Sequence, residues 1–427
     1  MKTTATARST LLARITEPVA AVDSARAPAP EIRRAASIII ASLNRPEGIT
    51  GVHTHTAALQ AGLKELGCES AHVNPFSGSR AWLPIFAVRP LLLSRLNRTK
   101  ATLWYRRWHA AALRSNLLKA ISHDSAPDAI IAQCPVSAHA ALQVRRKLNL
   151  STRIALVAHF NHSEAQEYRQ LGDLPCDETY RRMLGFENAV LQDVDQVIYV
   201  SDWARRIVES QRSIRPRRSS VIHNGIPDII TPPTLKRDVL GLADDDLVLI
   251  NIGTLEPRKN QLSLLAFFAE IHKLYPQARL LLVGEGSQRS QIESSIRALR
   301  LTESVRLLGA RRDVPDILAI SDLYLHYATL ENCPVVLLEC ARAGLPFAAV
   351  PVGGIPELQA ALHVTLALDP ARPNETLAAL KPVLAAKPLR KILGGRARAG
   401  FESRFTTNAM TRAYLAALDL APKGGES

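Results

Sequence analysis

Two glutamates at a spacing of eight stand where a helix is predicted to begin, in the segment TLENCPVVLLECARAGLPFAAVPVGGIPEL at 329–358. Pro334 suits the first position of that helix, and Asn332 suits the cap before it. Glu331 then lies in the entering loop and Glu339 inside the helix. A helix start suits a diphosphate, and carboxylates beside it accept hydrogen bonds from sugar and ribose hydroxyls. The plainer alternative is a capping acid and one surface glutamate.

The second candidate is a basic loop, NIGTLEPRKN at 251–260, which follows a predicted strand. Gly253 makes the turn at the strand end, and Arg258 and Lys259 stand before the next predicted helix. Two cations at this place would offset the charge of a diphosphate leaving group. Taken alone, the loop also fits a solvated basic turn.

Histidines form the third candidate group. His159 and His162 follow a buried strand, at the carboxyl end where doubly wound sheets place ligands. His53 and His55 follow a glycine loop that ends at Gly51. No acidic residue lies between His53 and His55, so we expect no metal site. A substrate role and a purely structural role both fit this pattern.

The elements that must position these residues alternate between apolar strands and amphipathic helices, which predicts an α/β protein with parallel, doubly wound sheets. A turn-rich linker at 224–233 separates two such runs. We therefore expect two Rossmann-like domains that face each other across a cleft. The predicted strands are 37–42, 70–73, 129–132, 154–158, 196–200 and 221–222 in the first run, and 247–252, 278–283, 305–309, 323–326 and 347–350 in the second.

The domain boundaries follow from this pattern. Residues 1–35 read as a loose tail, 36–230 as an N-terminal domain and 240–400 as a C-terminal domain. Residues 401–427 read as a terminal helix and tail that packs back on the N-terminal domain.

The net charge of +14 is uneven, because no acidic residue occurs between Ser70 and His123. Basic residues mixed with tryptophan and leucine over 80–119 suit an anionic membrane surface. We expect neutralisation of Arg106 and Arg107 to weaken pelleting with anionic liposomes. A solvated basic face is the alternative, and no nucleic-acid-binding motif supports a nucleic-acid partner.

Composition fits a globular protein in the cytoplasm, with 47% hydrophobic and 22% charged residues. The five cysteines form no CxxC pair, which argues against a zinc knot or a disulfide framework. No apolar run is long enough to span a bilayer. We expect a cytoplasmic chain that sits peripherally at the inner face of the membrane.

Five motifs stand in a fixed order along the chain: VIHNGI at 221–226, GTLEPRKN at 253–260, LVGEG at 282–286, the Glu331 and Glu339 pair, and VGGIPEL at 352–358. Taken together, they resemble the retaining glycosyltransferase family 4, which has the GT-B fold. The resemblance covers roughly residues 36 to 400, and it implies that 36–230 is the acceptor-side domain and 240–400 the nucleotide-sugar-binding domain. Two further segments, GITGVHTH at 48–55 and AHFNHSEAQEY at 158–168, resemble bacterial exopolysaccharide and lipopolysaccharide members.

The resemblance implies a role for each matching residue. Arg258 and Lys259 would hold the donor diphosphate, Glu331 the sugar hydroxyls and Glu339 the ribose. His159 would face the reacting sugar. The implied catalytic residues are His159, Glu331, Arg258 and Lys259. The implied donor-binding residues are Gly51, Gly253, Arg258, Lys259, Gly284, Glu331, Val335, Val336 and Glu339. The residues implied for the acceptor side are His53, His55 and His162.

The sequence departs from the family pattern at the helix start, where Glu331-Asn332-Cys333-Pro334 replaces the frequent Glu-Gly-Phe-Gly. Pro334 has no N–H, so the amides of Val335 and Val336 would have to contact the phosphates. Thr254 replaces a frequent arginine.

The implied function is transfer of a hexose, mannose or similar, from a nucleotide-diphosphate sugar to a glycan or lipid-linked acceptor in surface polysaccharide synthesis. The family retains the anomeric configuration and needs neither a cofactor nor a divalent metal. The alternative is a non-catalytic nucleotide-sugar-binding or scaffold protein.

Overall fold

The computed structural model describes residues 35–45, 50–78, 83–88, 96–121, 126–229 and 234–422, together with positions 48, 93 and 232. The predicted tail at 1–35 lies almost wholly outside the described residues, as do Arg80, Trp82, Arg89 and Arg95 of the basic stretch. All described residues belong to one compact unit.

The first sheet has six parallel strands in the order β2-β1-β3-β4-β5-β6. Each predicted strand of the first run is found, within about two residues at each end. The strands are β1 (Ser37–Ala41), β2 (Glu69–Val73), β3 (Ala129–Ala132), β4 (Arg153–Ala158), β5 (Gln196–Tyr199) and β6 (Ser219–Val221).

The second sheet has five parallel strands in the order β11-β10-β7-β8-β9. Four of its strands have the predicted bounds and the fifth ends one residue early. The strands are β7 (Leu247–Ile252), β8 (Ala278–Val283), β9 (Val305–Gly309), β10 (Leu323–His326) and β11 (Phe347–Ala349). Two parallel, doubly wound sheets confirm the predicted α/β class.

Helices connect the strands and cover both sheets. In the first half they are α1 (Gly51–Glu65), α2 (Leu83–Val88), α3 (Arg98–Ala120), α4 (Pro135–Leu148), α5 (Glu164–Gln170), α6 (Asp177–Asp193) and α7 (Asp202–Arg206). In the second half they are α8 (Gln261–Leu274), α9 (Arg289–Ala298), α10 (Val314–Ala319), α11 (Val335–Arg342), α12 (Ile355–Ala361), α13 (Pro373–Ala385), α14 (Lys387–Arg404) and α15 (Thr407–Ala417).

The core follows the two-residue period of the strands. Ile38 and Ile40 of β1 face a cluster that continues into the second domain, whereas Ile39 faces a separate cluster on the other side of the sheet. Each sheet is therefore buried on both faces, as parallel sheets require.

Both sheets reverse their strand order at one point. In the first sheet the reversal lies between β1 and β3, and in the second it lies between β7 and β10. Ligands of doubly wound sheets bind beyond the carboxyl ends of the strands at such a reversal. The loops after β1, β3, β7 and β10 are therefore where a site is expected.

The C-terminal helix α15 packs on α1 of the N-terminal domain. The Tyr414 hydroxyl lies 3.2 Å from Nε2 of His55, and the sulfur of Met410 accepts a hydrogen bond from the Gly225 amide at 3.1 Å. The C-terminal segment of the chain thus returns to the N-terminal domain.

The first residues of the predicted linker are packed against other segments of the chain. Asn224 and Ile226 are only 6% and 2% exposed, and Ile226 pairs with Thr406 in an isolated parallel bridge. The connection at 224–233 therefore begins as packed chain, whereas Asp228 and Ile229 are exposed.

Arg106 does not lie on the exposed surface that the membrane expectation assumed for it. Its side chain turns inward from α3, is 9% exposed, and donates to Glu164 at 2.6 Å. The guanidinium also lies over the rings of Tyr168 and Phe186, at 5.8 and 5.5 Å from their centroids. Arg106 is therefore a buried ion-pair residue, whereas Arg107 is exposed.

Within the described part of the chain, every helix falls short of the length and apolarity that crossing a bilayer requires.

Candidate active site

Glu331 is the centre of the site, and its carboxylate gathers three basic side chains. Lys259 donates to it from the loop after β7, and Arg258 from the same loop approaches within 3.4 Å. Nε2 of His326, the last residue of β10, lies 3.5 Å away. Because β7 and β10 are neighbours at the strand reversal, the loops that follow them meet here.

The charge of this cluster is set by its neighbours. Burial alone would raise the pKa of Glu331, but His326 and the cations of Lys259 and Arg258 lower it well below its ordinary value. Burial lowers the pKa of His326. Glu331 is therefore ionised and His326 neutral at neutral pH. Arg258 also donates to the Glu256 carboxylate at 2.8 Å, so the cluster pairs two cations with two carboxylates.

Two close approaches of backbone explain the glycines of the predicted motifs. Gly353 has a left-handed φ of 59°, and a Cβ built there would overlap the carbonyl oxygen of Glu331. Gly284 has a φ of 142°, and its Cβ would overlap the carbonyl oxygen of Gly253. Gly353 thus lets its loop pack against the loop that carries Glu331, and Gly284 lets its loop pack against the loop that leads to Lys259.

The start of α11 differs slightly from the prediction. Pro334 is the residue before the helix and not its first residue, and Asn332 makes no capping hydrogen bond to it. Among the described residues, no acceptor takes the amides of Val335 and Val336. A Cβ built on Gly51, the first residue of α1, would lie 3.9 Å from a γ-methyl of Val335. The predicted donor residues of the two domains thus face each other.

Glu339 lies on α11, about one turn after its start at Val335. Burial raises the pKa of its carboxyl, and the Arg342 cation offsets part of that effect. In the described part of the chain the carboxylate has no hydrogen-bond or ion-pair partner. It remains available to accept hydrogen bonds from a ligand.

His159 lies at the carboxyl edge of the first sheet. Its ring Nε2 lies 2.8 Å from Oε1 of Gln133, and these two residues directly follow the neighbouring strands β4 and β3. Burial, with a smaller effect of His55, lowers the pKa of His159 well below its usual value. The imidazole is therefore neutral and oriented.

The other three histidines take different places. His55 is buried, with Nδ1 3.0 Å from the Asn224 amide oxygen and Nε2 bound by Tyr414, and its ring packs edge-on against His159 at 4.8 Å. Both ring nitrogens of His55 are already hydrogen-bonded within the protein. Its role at the site is therefore to pack against the His159 ring.

His53 and His162 are partly exposed. His53 lines a small polar cavity with Arg45, Gln60 and His72 at the carboxyl edge of β1. His162 packs against the Trp203 ring at 5.1 Å. Of the four histidines, the structure brings only His55 and His159 into ring contact.

Direct side-chain contacts join the two domains at this site. Nδ2 of Asn332 donates to the Phe160 carbonyl at 2.9 Å, and its Oδ1 accepts from the Ser201 hydroxyl. Glu357 of α12 accepts from the amides of Asp202 and Trp203, each at 2.7 Å.

Sequence reasoning missed four of these residues: His326, Asn332 as a domain contact, Ser201 and Glu357. The same rule that placed His159 applies to His326, since it too ends a buried strand. Ser201 follows β5 and precedes a helix, as an N-cap does. The partner of Asn332 lies in another domain, so no local pattern reveals it.

Among the described residues, no group of three or more potential metal ligands comes together.

The fold and site define a two-domain Rossmann-like protein with a basic, carboxylate-containing site in the cleft. The family models show which protein class this is. Glycosyltransferase Family 4 matches residues 49–228, and Glycosyl transferases group 1 matches residues 234–400. The two matches leave only 229–233 between them, so the chain belongs to the group 1/family 4 glycosyltransferases with the GT-B fold.

Curated relatives match over shorter stretches. The phosphatidylinositol N-acetylglucosaminyltransferase gpi3 subunit of Schizosaccharomyces pombe is 29% identical over 43% of this chain and 39% of its own length. An Escherichia coli UDP-Gal:alpha-D-GlcNAc-diphosphoundecaprenol alpha-1,3-galactosyltransferase is 32% identical over 31% of this chain and 36% of its own. The matched part of this chain thus spans less than half the length of each relative.

Solved structures match over nearly the whole chain and show the fold. Anabaena HepE in complex with UDP-glucose has a TM-score of 0.66 at 19% identity, covering 90% of this chain and 99% of that one. Sucrose-phosphate synthase from Thermosynechococcus elongatus also has a TM-score of 0.66, at 18% identity, covering 89% of this chain and 97% of that one.

Proposed function

We propose that this chain transfers a hexose from a nucleotide-diphosphate sugar to a glycan or lipid-linked acceptor, with retention of the anomeric configuration. The observation that carries the proposal is the cluster of Lys259, Arg258 and Glu331 at the strand reversal of the second sheet. It combines cations for a diphosphate with an ionised carboxylate for sugar hydroxyls.

The donor would lie between the loop after β7 and the start of α11. Lys259 and Arg258 stabilise the charge that develops on the departing diphosphate. The amides of Val335 and Val336 point the same way and add the helix dipole. Glu331 accepts from the sugar hydroxyls, and Glu339, farther along α11, accepts from the ribose.

His159 would face the reacting sugar from the opposite domain. Its Nε2 donates to Oε1 of Gln133, which fixes the ring orientation. Being neutral, the ring then accepts one hydrogen bond at Nδ1 without a fixed charge. The leaving phosphate is the base that the front-face mechanism of retaining transfer requires. No metal or cofactor enters this proposal.

The acceptor would approach through the first domain. His53 and the polar cavity beside it, which includes Arg45 and His72, offer hydrogen-bonding groups on that side. Two of the matched relatives are named for acceptors of a lipid kind, phosphatidylinositol and a diphosphoundecaprenol. A lipid-linked acceptor in surface polysaccharide synthesis agrees with both points.

The exposed face of α3 supports a peripheral position at the inner face of the membrane. Lys100, Leu103 and Arg107 recur at helical spacing, and Leu103 is 43% exposed. Just before the helix, Leu96 is 73% exposed. Basic and apolar side chains on one face suit an anionic lipid surface.

The test is a thermal-shift screen of UDP, GDP and other nucleoside diphosphates with their sugars, in a buffer without divalent metal. Binding to the folded state raises the unfolding temperature in proportion to the logarithm of ligand concentration over Kd. We expect stabilisation by one base, reduced in Lys259→Ala and Glu339→Ala. The donor that stabilises is then offered with lipid-linked and oligosaccharide acceptors, and the product anomer is read by NMR.

The outcomes separate the candidate functions. Stabilisation followed by sugar transfer supports the enzyme, and stabilisation without turnover supports the non-catalytic binder. If no nucleotide shifts the unfolding temperature, the proposed function is wrong.

A further inference from the structure

Asn332 belongs to the second domain, but its side chain is bound by the first. It follows Glu331 directly, is 6% exposed, and makes no hydrogen bond to the start of α11. Nδ2 donates to the Phe160 carbonyl at 2.9 Å and lies 3.5 Å from the His159 carbonyl. Oδ1 accepts from the Ser201 hydroxyl. Both the nitrogen and the oxygen of this buried side-chain amide are therefore hydrogen-bonded to the first domain.

These contacts join the two sides of the site by a short path. Phe160 follows His159 in the chain, as Asn332 follows Glu331. The side chain of Asn332 is thus a bridge between the backbone at the sugar-facing histidine and the backbone at the donor carboxylate. A movement of either loop has to break at least one of these hydrogen bonds.

The first-domain end of the bridge is itself fixed. Ser201 caps α7, since its Oγ accepts from the Ala204 amide at 3.0 Å while donating to Asn332. Glu357 takes the next two amides at the start of α7, those of Asp202 and Trp203, from the second domain. The start of α7 is therefore held by two side chains of the opposite domain.

We propose that Asn332 is a positioning residue, which sets His159 against the donor site for sugar transfer. This inference rests on the proposed function and adds a residue to it. The reason is geometric: a displacement of about 1 Å between reacting groups costs about 100-fold in rate, although each group remains present. Donor contacts are made by Arg258, Lys259 and Glu331, so loss of the bridge leaves nucleotide binding largely intact.

The experiment compares Asn332→Ala and the isosteric Asn332→Asp with wild type. The aspartate places a carboxylate oxygen against the Phe160 carbonyl, so it removes the donor without removing volume. Asn408→Ala is the matched control, because Asn408 accepts from Arg412 on the outer side of α15. The affinities for UDP and GDP are measured by calorimetry. The values of kcat and KM are measured by steady-state kinetics with the donor sugar that the screen selects.

We expect both Asn332 variants to bind the nucleotide within threefold of wild type and to lose about 100-fold in kcat, with little change in KM for the donor. Amide hydrogen exchange should become faster in segments 160–163 and 202–204 alone. Asn408→Ala should match wild type in every measurement. Ser201→Ala keeps the Phe160 hydrogen bond and should lose about fivefold to tenfold in kcat; it tests the inference even if the Asn332 variants do not fold.

The results that overturn the inference are distinct from those that overturn the function. Full kcat in Asn332→Ala and Ser201→Ala, with an active wild type, rejects the positioning role. An equal loss of nucleotide binding and kcat rejects it as well, since Asn332 would then be a donor ligand. A wild type that binds nucleotide but transfers no sugar rejects the proposed function, and this inference with it.

Discussion

Lys259 and Glu331 form an ion pair, although 72 positions separate them in the chain. They meet because their loops follow β7 and β10, which are neighbours where the strand order reverses. The pair lies at the same edge as the free amides that begin α11. The two charges of this ion pair meet because of the topology of the sheet, and no local sequence signal brings them together.

Lys259→Ala should lower kcat/KM by about 100-fold to 1,000-fold, because it removes a cation from the developing diphosphate charge. Lys259→Arg keeps the positive charge and should show a smaller decrease in kcat/KM. Steady-state kinetics with the selected donor check both. Lys273→Ala is the matched control, since that lysine pairs with Glu270 on the surface and its side chain is 68% exposed. Equal activity of Lys259→Ala and wild type would remove Lys259 from the donor site.

Gly353→Ala should impair folding and activity together. The new Cβ would overlap the Glu331 carbonyl at a left-handed φ, so the loop that carries the carboxylate has to move. We expect more than about 1 kcal/mol of lost stability and about 100-fold lower activity. Urea unfolding and turnover measure the two effects.

The control is Gly395→Ala inside α14, where an added Cβ meets nothing within 4 Å. That change should leave activity intact and stabilise the helix by about 1 kcal/mol. If Gly353→Ala behaved like Gly395→Ala, the close packing of Gly353 against the loop that carries Glu331 would not matter for the site.

The strands could be predicted closely from sequence, because buried parallel strands are short apolar runs bounded by turn residues. β7 to β10 have the predicted bounds for this reason. That Lys259, Arg258 and Glu331 share one site was implied by the family resemblance, and the structure brings them together because carboxyl ends of parallel strands share one edge. His326 was missed because it completes an apolar strand and has no polar neighbours in sequence.

The remainder depends on contacts between distant segments. Asn332 before a proline fits a helix cap locally, but its partners Phe160 and Ser201 lie in the other domain. Arg106 lies in a stretch without acidic residues, and its partner Glu164 comes 58 positions later. Local composition indicates charge, and only the fold decides which charges are buried.

Membrane binding should depend on Lys100 and Arg107 and not on Arg106. Each exposed basic residue near an anionic surface contributes about 1 kcal/mol, so the double variant Lys100→Gln/Arg107→Gln should bind vesicles of phosphatidylcholine and phosphatidylglycerol about 30-fold more weakly. Cosedimentation at constant ionic strength measures this.

Arg106→Gln is the contrasting variant, because it leaves the partly buried Glu164 without its partner. It should bind the vesicles like wild type and lose about 3 kcal/mol or more of stability. Weaker vesicle binding in Arg106→Gln, at a temperature where it is folded, would contradict the assignment of the exposed face.

His55 should make the protein less stable at acid pH. Burial lowers the pKa of His55 to about 4, against an ordinary 6.5, and the Asn224 hydrogen bond offsets only part of this. Between these values the unfolded chain takes up a proton that the folded chain refuses, so stability falls as pH falls. The contribution of this one group is about 3 kcal/mol.

Urea unfolding from pH 7 to pH 4 measures the effect as the difference between variants, since His159 and His326 also have lowered pKa values. His55→Gln should be less sensitive to acid than wild type by about that amount. Tyr414→Phe removes a hydrogen bond from Nε2 but keeps the imidazole, so its stability should fall with pH as steeply as that of wild type. An unchanged slope in His55→Gln would mean that the imidazole takes up its proton in the folded state, and that the ring packed behind His159 is charged at acid pH.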